Sequence, residues 1–132
     1  MQHFVVYHNP AVMGYPVIDV ARLAIYTNKK RADAVGGRVW LITGEGSPRI
    51  FKLRSTFIVQ AVESSDKPEF AALVTGREGH LFLPMPSLNS LPWFAQLKKK
   101  QGNFAFGFQP INDPDVEAGL KALYVVPAGT AR

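Results

Sequence analysis

Hydrophobic and polar positions alternate with period two along residues 50–62, except that Ile50, Ile58 and Val62 break the polar side, which predicts that part of it is covered. Phe51, Leu53, Ser55, Phe57, Val59 and Ala61 fall on one side, and Lys52, Arg54, Thr56 and Gln60 on the other. Successive strand side chains point to opposite faces, so the pattern predicts a strand. Upstream, Arg38-Val39-Trp40-Leu41-Ile42 is a second apolar run, and Gly44-Glu45-Gly46-Ser47-Pro48 lies between the two. Glycine supplies positive φ in such a turn and proline ends the pairing. Residues 36–63 therefore read as one long antiparallel hairpin. Its second strand exceeds the usual length of about five or six residues, which predicts a bulge or corner near Ser55-Thr56. A long coiled hairpin points to a small barrel rather than a flat sheet.

The remaining chain supplies shorter signals. His3 to His8 is an apolar strand stopped by Asn9-Pro10, and residues 11–16 form a loop. Asp19 is placed to cap a helix reaching Asn28, with Val20, Leu23, Ala24 and Thr27 on its buried face and Lys29-Lys30-Arg31 at its C-terminus. Residues 70–75 predict a weak strand, residues 76–79 a turn, and residues 80–83 a further short strand. A helix is expected over residues 91–101, capped by Ser90 and stopped by Gly102. Phe104, Phe106 and Phe108 alternate in a strand over residues 103–111 and are expected to share a core face. Asp113-Pro114 opens a last helix, to about Leu123, with Val116, Leu120 and Leu123 as its apolar stripe. Residues 124–126 read as a final strand or as the end of that helix, and residues 127–132 as a frayed tail. The expectation is a single α+β domain over residues 1–132, a small, mostly antiparallel β-barrel with flanking helices.

Composition narrows the chemistry. There is no cysteine, which removes disulfides and thiolate chemistry and fits a cytoplasmic protein. No apolar run reaches the roughly 18 to 20 residues of a membrane helix, and the first residues lack the pattern of a signal peptide. The net charge of +5 is spread along the chain: eight Lys/Arg against five acids in residues 1–66, seven against five in the remainder. A basic surface favours a polyanionic partner. Three histidines are few and scattered, and His3 and His8 differ in strand parity. No metal-ligand spacing, nucleophile elbow or phosphate-binding glycine loop occurs, so neither a cofactor nor a catalytic residue is assigned. What remains is aromatic and basic. Tyr7, Tyr15, Trp40, Trp93 and Phe94 are candidates to stack on a base, with core filling as the alternative for each. Arg38, Arg49, Lys52 and Arg54 form a candidate phosphate stripe, or else a solvated strand face. Lys98 and Lys99, with Lys100, end a helix whose dipole already accounts for them, and phosphate contact is the lesser alternative.

The strand Gly37-Arg38-Val39-Trp40-Leu41-Ile42, the NFAFGFQPI stretch from Asn103 to Ile111, and the strand end Tyr7-His8-Asn9-Pro10 together resemble the PUA superfamily, and within it the EVE-type domains. The stretch LPWFAQL…QGNFAFGFQPI also resembles EVE-like specificity modules joined to HNH nucleases. The likeness spans roughly residues 3–123. Asn9 and Arg38 stand where those domains carry acids, and Asn103 where they carry arginine. The resemblance implies a PUA-like pseudo-barrel whose pocket accepts a flipped, modified base. Carried onto this chain, Tyr7, His8 and Asn9 edge that pocket, Tyr15 and Trp40 offer stacking faces, and Trp93 and Phe94 close it. The expected function is reading a modified base, foremost a modified cytosine in DNA, as the specificity domain of modification-dependent restriction. Any nuclease would then be another domain or subunit. The alternatives are an RNA-modification reader, or a small-molecule or nucleotide-processing enzyme using His8 or an acid on the same barrel.

Overall fold

The computed structural model describes residues 1–29, 31–104 and 107–124. Lys30, Phe106, the strand or helix end expected at residues 125–126, and the tail lie outside the described residues. Six strands form one sheet in the order β2-β5-β4-β3-β1-β6. They are β1 (His3–His8), β2 (Ala24–Thr27), β3 (Arg38–Glu45), β4 (Ile50–Ser64), β5 (Ala72–Leu81) and β6 (Phe108–Ile111). Three helices accompany them, α1 (Pro10–Met13), α2 (Phe94–Lys100) and α3 (Pro114–Tyr124). Among the described residues only the β1–β3 pairing is parallel. The class is α+β with a mostly antiparallel sheet, as expected. No helix among the described residues is long and apolar enough to cross a membrane.

The sheet is not closed into a barrel. β2 and β6 are its two edges. A loop rather than a strand lies over the concave side beyond β1. Its carbonyls at Ile18 and Val20 accept from the Arg54 guanidinium, and Leu23 O accepts from Gly76 N, so side chain and loop do what a closing ladder would have done.

The central hairpin pairs as the sequence predicts, with one change that matters. Leu41 faces Ser55 but Ile42 faces Leu53, so Arg54 is an extra residue in β4, next to the expected bend. One inserted residue exchanges the faces of everything on either side of it. Phe51 and Leu53 therefore enter the helix-side core with Trp40 and Ile42, while Phe57 and Val59 enter the concave core with Val39 and Leu41. The single apolar face expected from Phe51 to Ala61 is thus divided between two cores. Further register shifts follow at Gln60 in β4 and across Glu78 in β5, where φ is +50°.

Both cores are built from alternating strand residues. α2 and α3 cover one face through Phe94, Leu97, Val116 and Leu120, against Val5, Trp40 and Ile42. Phe4, Val6, Val17, Ile25 and Phe108 fill the other. The last helix starts as predicted. Asp113 Oδ1 accepts from the amides of Asp115 and Val116 at 3.0 and 3.3 Å, which satisfies two of the four free donors of the first turn.

Five local expectations are corrected. α2 starts at Phe94, with Trp93 at its N-cap and no side-chain cap bond, rather than at residue 91 behind Ser90. Residues 19–28 form a 3-10 turn (Val17–Asp19) and then β2, not a helix, because Ala24–Thr27 finds a ladder on β5. β5 runs unbroken through the expected turn at 76–79. Gly76 and Gly79 serve close approach there, since a Cβ on either would collide with Phe57 or with the Thr56 carbonyl. Phe104 lies in a 3-10 turn (Gly102–Phe104) in the helix-side core, whereas Phe108 lies in the concave core, so they do not share a face. Residues 10–13 are a short helix capped by Asn9 rather than loop.

Candidate functional site

The last two residues of β1 point to opposite faces of the sheet, and each backs a different concavity. On the concave side, buried His8 donates from Nε2 to the Tyr15 carbonyl at 2.8 Å, and its ring meets the Tyr15 ring edge-on at 4.9 Å. Burial lowers the pKa of His8 from its ordinary value, although the bond to Tyr15 opposes this. Tyr15 is thereby held over a pocket of about 300 Å³ whose other polar lining is Asp19, Arg22, Tyr26 and Lys67. Tyr26 comes from β2 with its ring half-buried. Its hydroxyl donates to Asp66 Oδ1 at 2.7 Å, and Phe70 packs on its ring at 5.5 Å. That bond raises the pKa of the Tyr26 phenol and lowers that of the Asp66 carboxyl, so a neutral donor meets an ionised acceptor. Burial, followed by the neighbouring Tyr26 and Asp19, pushes the Tyr15 phenol up. Lys67 Nζ stands 4.7 Å from the Tyr26 ring centroid and 5.8 Å from that of Tyr15. The Lys67 backbone is fixed by Ser65 Oγ, which accepts from its amide and donates to its carbonyl, each at 2.9 Å.

Arg54 holds the wall of this pocket. It is 5 % exposed and gives its donors to the carbonyls of Val20 (2.6 and 3.1 Å), Ile18 (3.3 Å) and Phe82 (3.1 Å). The bulge that makes Arg54 the extra residue also turns it inward. Its assignment as a phosphate ligand is corrected: desolvated and saturated with carbonyls, it orders the loop that carries Val20.

On the helix side, Tyr7 stacks on Phe104 with centroids 5.0 Å apart and planes 11° from parallel. Arg49 Nη1 donates to the Tyr7 hydroxyl at 3.2 Å. An open cleft of about 640 Å³ lies here, lined by Arg49, Phe51, Asn89, Phe94, Lys98 and Asn103 among others. Lys98 Nζ sits 5.1 Å above the Phe51 ring. Asn89 accepts from Phe51 N at 2.7 Å and donates to Arg49 O at 3.1 Å, fixing the stretch that presents Arg49. Phe51, Phe94 and Phe104 are only 5, 3 and 5 % exposed. Phe51 and Phe94 form a floor, and the cleft's charged groups are Arg49 and Lys98, beside exposed Asn89 and Asn103.

The other predicted residues have structural occupations. Trp40 is fully buried, with Nε1 donating to His3 Nδ1 at 3.0 Å, so it offers no stacking face and its assignment to a base pocket is corrected. Trp93 packs its indole against Gly119 of α3, where any Cβ would collide with it, and does not close the tyrosine pocket. Phe94 belongs to the floor of the cleft. Asn9 caps α1, accepting from Ala11 N at 3.1 Å. Arg38 donates to Thr56 Oγ1 and Glu78 O, both at 3.1 Å, and lies 5.0 Å over the Tyr124 ring. Lys52 pairs with Glu45 at 3.6 Å. Lys99 is exposed in the last turn of α2, beside Lys100, which pairs with Asp113 at 2.9 Å.

The seven residues expected to share one pocket are therefore dispersed: Tyr15, backed by His8, serves the concave pocket, Phe94 lines the cleft, and Tyr7 touches it only through its bond from Arg49. Arg49 and Lys98 do converge, as cations of one cleft. Sequence reasoning missed Tyr26, Arg22 and Lys67. The one available signal was strand parity within Ala24–Thr27, which puts Tyr26 opposite the core residue Ile25. No family model matches this sequence, and no curated protein matches it.

Proposed function

We propose that this domain is a nucleic-acid-binding module that holds one extruded, modified base, foremost a modified cytosine in DNA, between Tyr15 and Tyr26. The observation that carries this reading is the tyrosine pocket itself. Two half-buried phenol rings from different elements line a space of about 300 Å³, with Arg22 and Lys67 beside it. That volume is at the lower end of ligand pockets, roughly 300–1,000 Å³, and suits a single base better than a whole nucleotide. Stacking on aromatic faces contributes about 1–3 kcal/mol per base, comparable to the few kcal/mol that extrusion costs. Arg49 and Lys98 supply backbone attraction from a separate cleft, in keeping with the net charge of +5. On this reading the coiled sheet, with a loop over its concave side, is a PUA-like fold of the EVE type in a cytoplasmic protein. The module serves as the specificity element of modification-dependent restriction, with cleavage supplied by a nuclease domain or subunit.

The test is fluorescence anisotropy against short duplexes identical except for one cytosine, unmodified, 5-methylated, 5-hydroxymethylated or N3-methylated, at two salt concentrations. Preference for a modified duplex that survives the higher salt is expected, and Tyr15→Ala should remove it. Equal binding that collapses with salt would reduce the domain to a polyanion patch. Preference for a matched modified RNA would transfer the reading to RNA, whose 2′-hydroxyl is the distinguishing group.

A further inference from the structure

The tyrosine pocket already contains a cation. The Lys67 ammonium lies within cation–π range of both rings, 4.7 and 5.8 Å from their centroids, where the limit is about 6 Å. Two acids balance it together with Arg22, the pocket's other cation: Asp19 lines the pocket, and ionised Asp66 is tied to the Tyr26 hydroxyl at 2.7 Å. Among the described residues Lys67 makes no ion pair within 4.0 Å; the two ring faces and, at longer range, the Asp66 carboxylate hold its charge. Lys67 is an exposed residue, and its long stem lets the ammonium swing out to water.

Resting on the base-reading function proposed above, we infer that this pocket selects a positively charged, N-methylated base, which takes the place of the Lys67 ammonium between Tyr15 and Tyr26. A neutral base such as 5-methylcytosine would displace a cation from two electron-rich faces without restoring the charge. N3-methylcytosine is protonated and cationic at neutral pH, and exchanges like for like. The same methyl group blocks the pairing edge, so the base is already unpaired and costs least to extrude. N7-methylguanine and N1-methyladenine share this charge. Lys67 then acts as a resident plug that keeps neutral, unmodified bases out.

The test uses the full chain and two probe sets. One is single-stranded oligonucleotides differing at a single cytosine: unmodified, 5-methyl or N3-methyl. The other is the corresponding free nucleosides, which carry no phosphate, followed by NMR. N3-methyl should bind about tenfold more tightly than 5-methyl in both sets. Lys67→Gln should raise the affinity for N3-methylcytidine several-fold by removing the competing cation. Tyr26→Phe, which keeps the ring, should retain the preference, and Tyr26→Ala should lose it. If 5-methyl bound as tightly as N3-methyl, the charge inference would fail while base reading stood. If no cytosine were preferred, both would fail. Weaker binding of N3-methylcytidine to Lys67→Gln would overturn the plug, because Lys67 would then be a contact. Tighter binding of a trimethyllysine peptide than of any nucleoside would overturn the assignment to a base.

Discussion

The two concavities beside the end of β1 use the same residue types in opposite ways. In the concave pocket two tyrosines keep exposed faces, cations and acids are both present, and the space is small. In the helix-side cleft the aromatic rings are spent on the core, the charged groups that remain are Arg49 and Lys98, and the space is about twice as large. On the proposed reading the first arrangement discriminates a planar guest, and the second attracts an anion without reading it. Aromatic content alone does not make a stacking site. Which ring face remains open decides it, and that depends on whether helices cover the sheet at that point.

The largest effect expected is from Arg54→Met, which removes the donors that three carbonyls use. Unpaired buried acceptors cost about 1–3 kcal/mol each, partly relieved by water, so a loss of about 2–4 kcal/mol in denaturant unfolding is expected. Modified-base preference should weaken with the pocket wall, while salt-dependent binding through the cleft persists. If both fell together, the two sites would not be separable. Next is the double variant Tyr15→Ala/Tyr26→Ala. It should lose about 1–3 kcal/mol of the modified-over-unmodified preference in anisotropy and leave binding to unmodified duplex unchanged.

Arg49→Ala/Lys98→Ala should do the converse. Affinity falls about equally for all sequences, and the slope of log K against log salt becomes shallower by about 2. A changed modification preference in this variant would give the cleft a reading role.

The smallest effect expected is that of pH. Burial depresses the pKa of His3 and His8, and Trp40 needs the unprotonated Nδ1 of His3 as its acceptor. The unfolded chain binds protons more readily at these sites, so their contribution to stability is complete above the ordinary value of 6.5 and is lost as pH falls through the lowered folded values. Thermal melts from pH 8 to 4.5 should show Tm falling below about pH 6.5, and His8→Gln should flatten part of that fall. Asp113, held at a pKa of about 2 by hydrogen bonds from Lys100 and Gln96, loses its contribution only at far lower pH.

Local signals were legible where they are self-contained. The strand His3–His8, the hairpin around Gly44–Pro48, the cation-ended helix and the Asp113-Pro114 start of α3 each carry their cause within a few residues. Ala24–Thr27 was misread as helix because its apolar spacing fits both periods, and its ladder partner on β5 lies far along the chain. Trp40 and Arg54 were misplaced for a related reason. Parity locates a side chain on a face, but says nothing about what covers that face, and a one-residue bulge reverses it.

Residue pattern alone specified the α+β class, the long central hairpin, the basic balance, and the aromatic and cationic residue types from which a site could be drawn. Tertiary structure decided which of them meet. Lys67 is remote in sequence from Tyr15 and Tyr26, and the three converge because β2 pairs with β5 and Arg54 holds the loop between Tyr15 and Tyr26 against the sheet. Strand pattern is a property of neighbouring backbone geometry. A pocket is the surface left after distant elements have buried what they can, and so is fixed only by the packed whole.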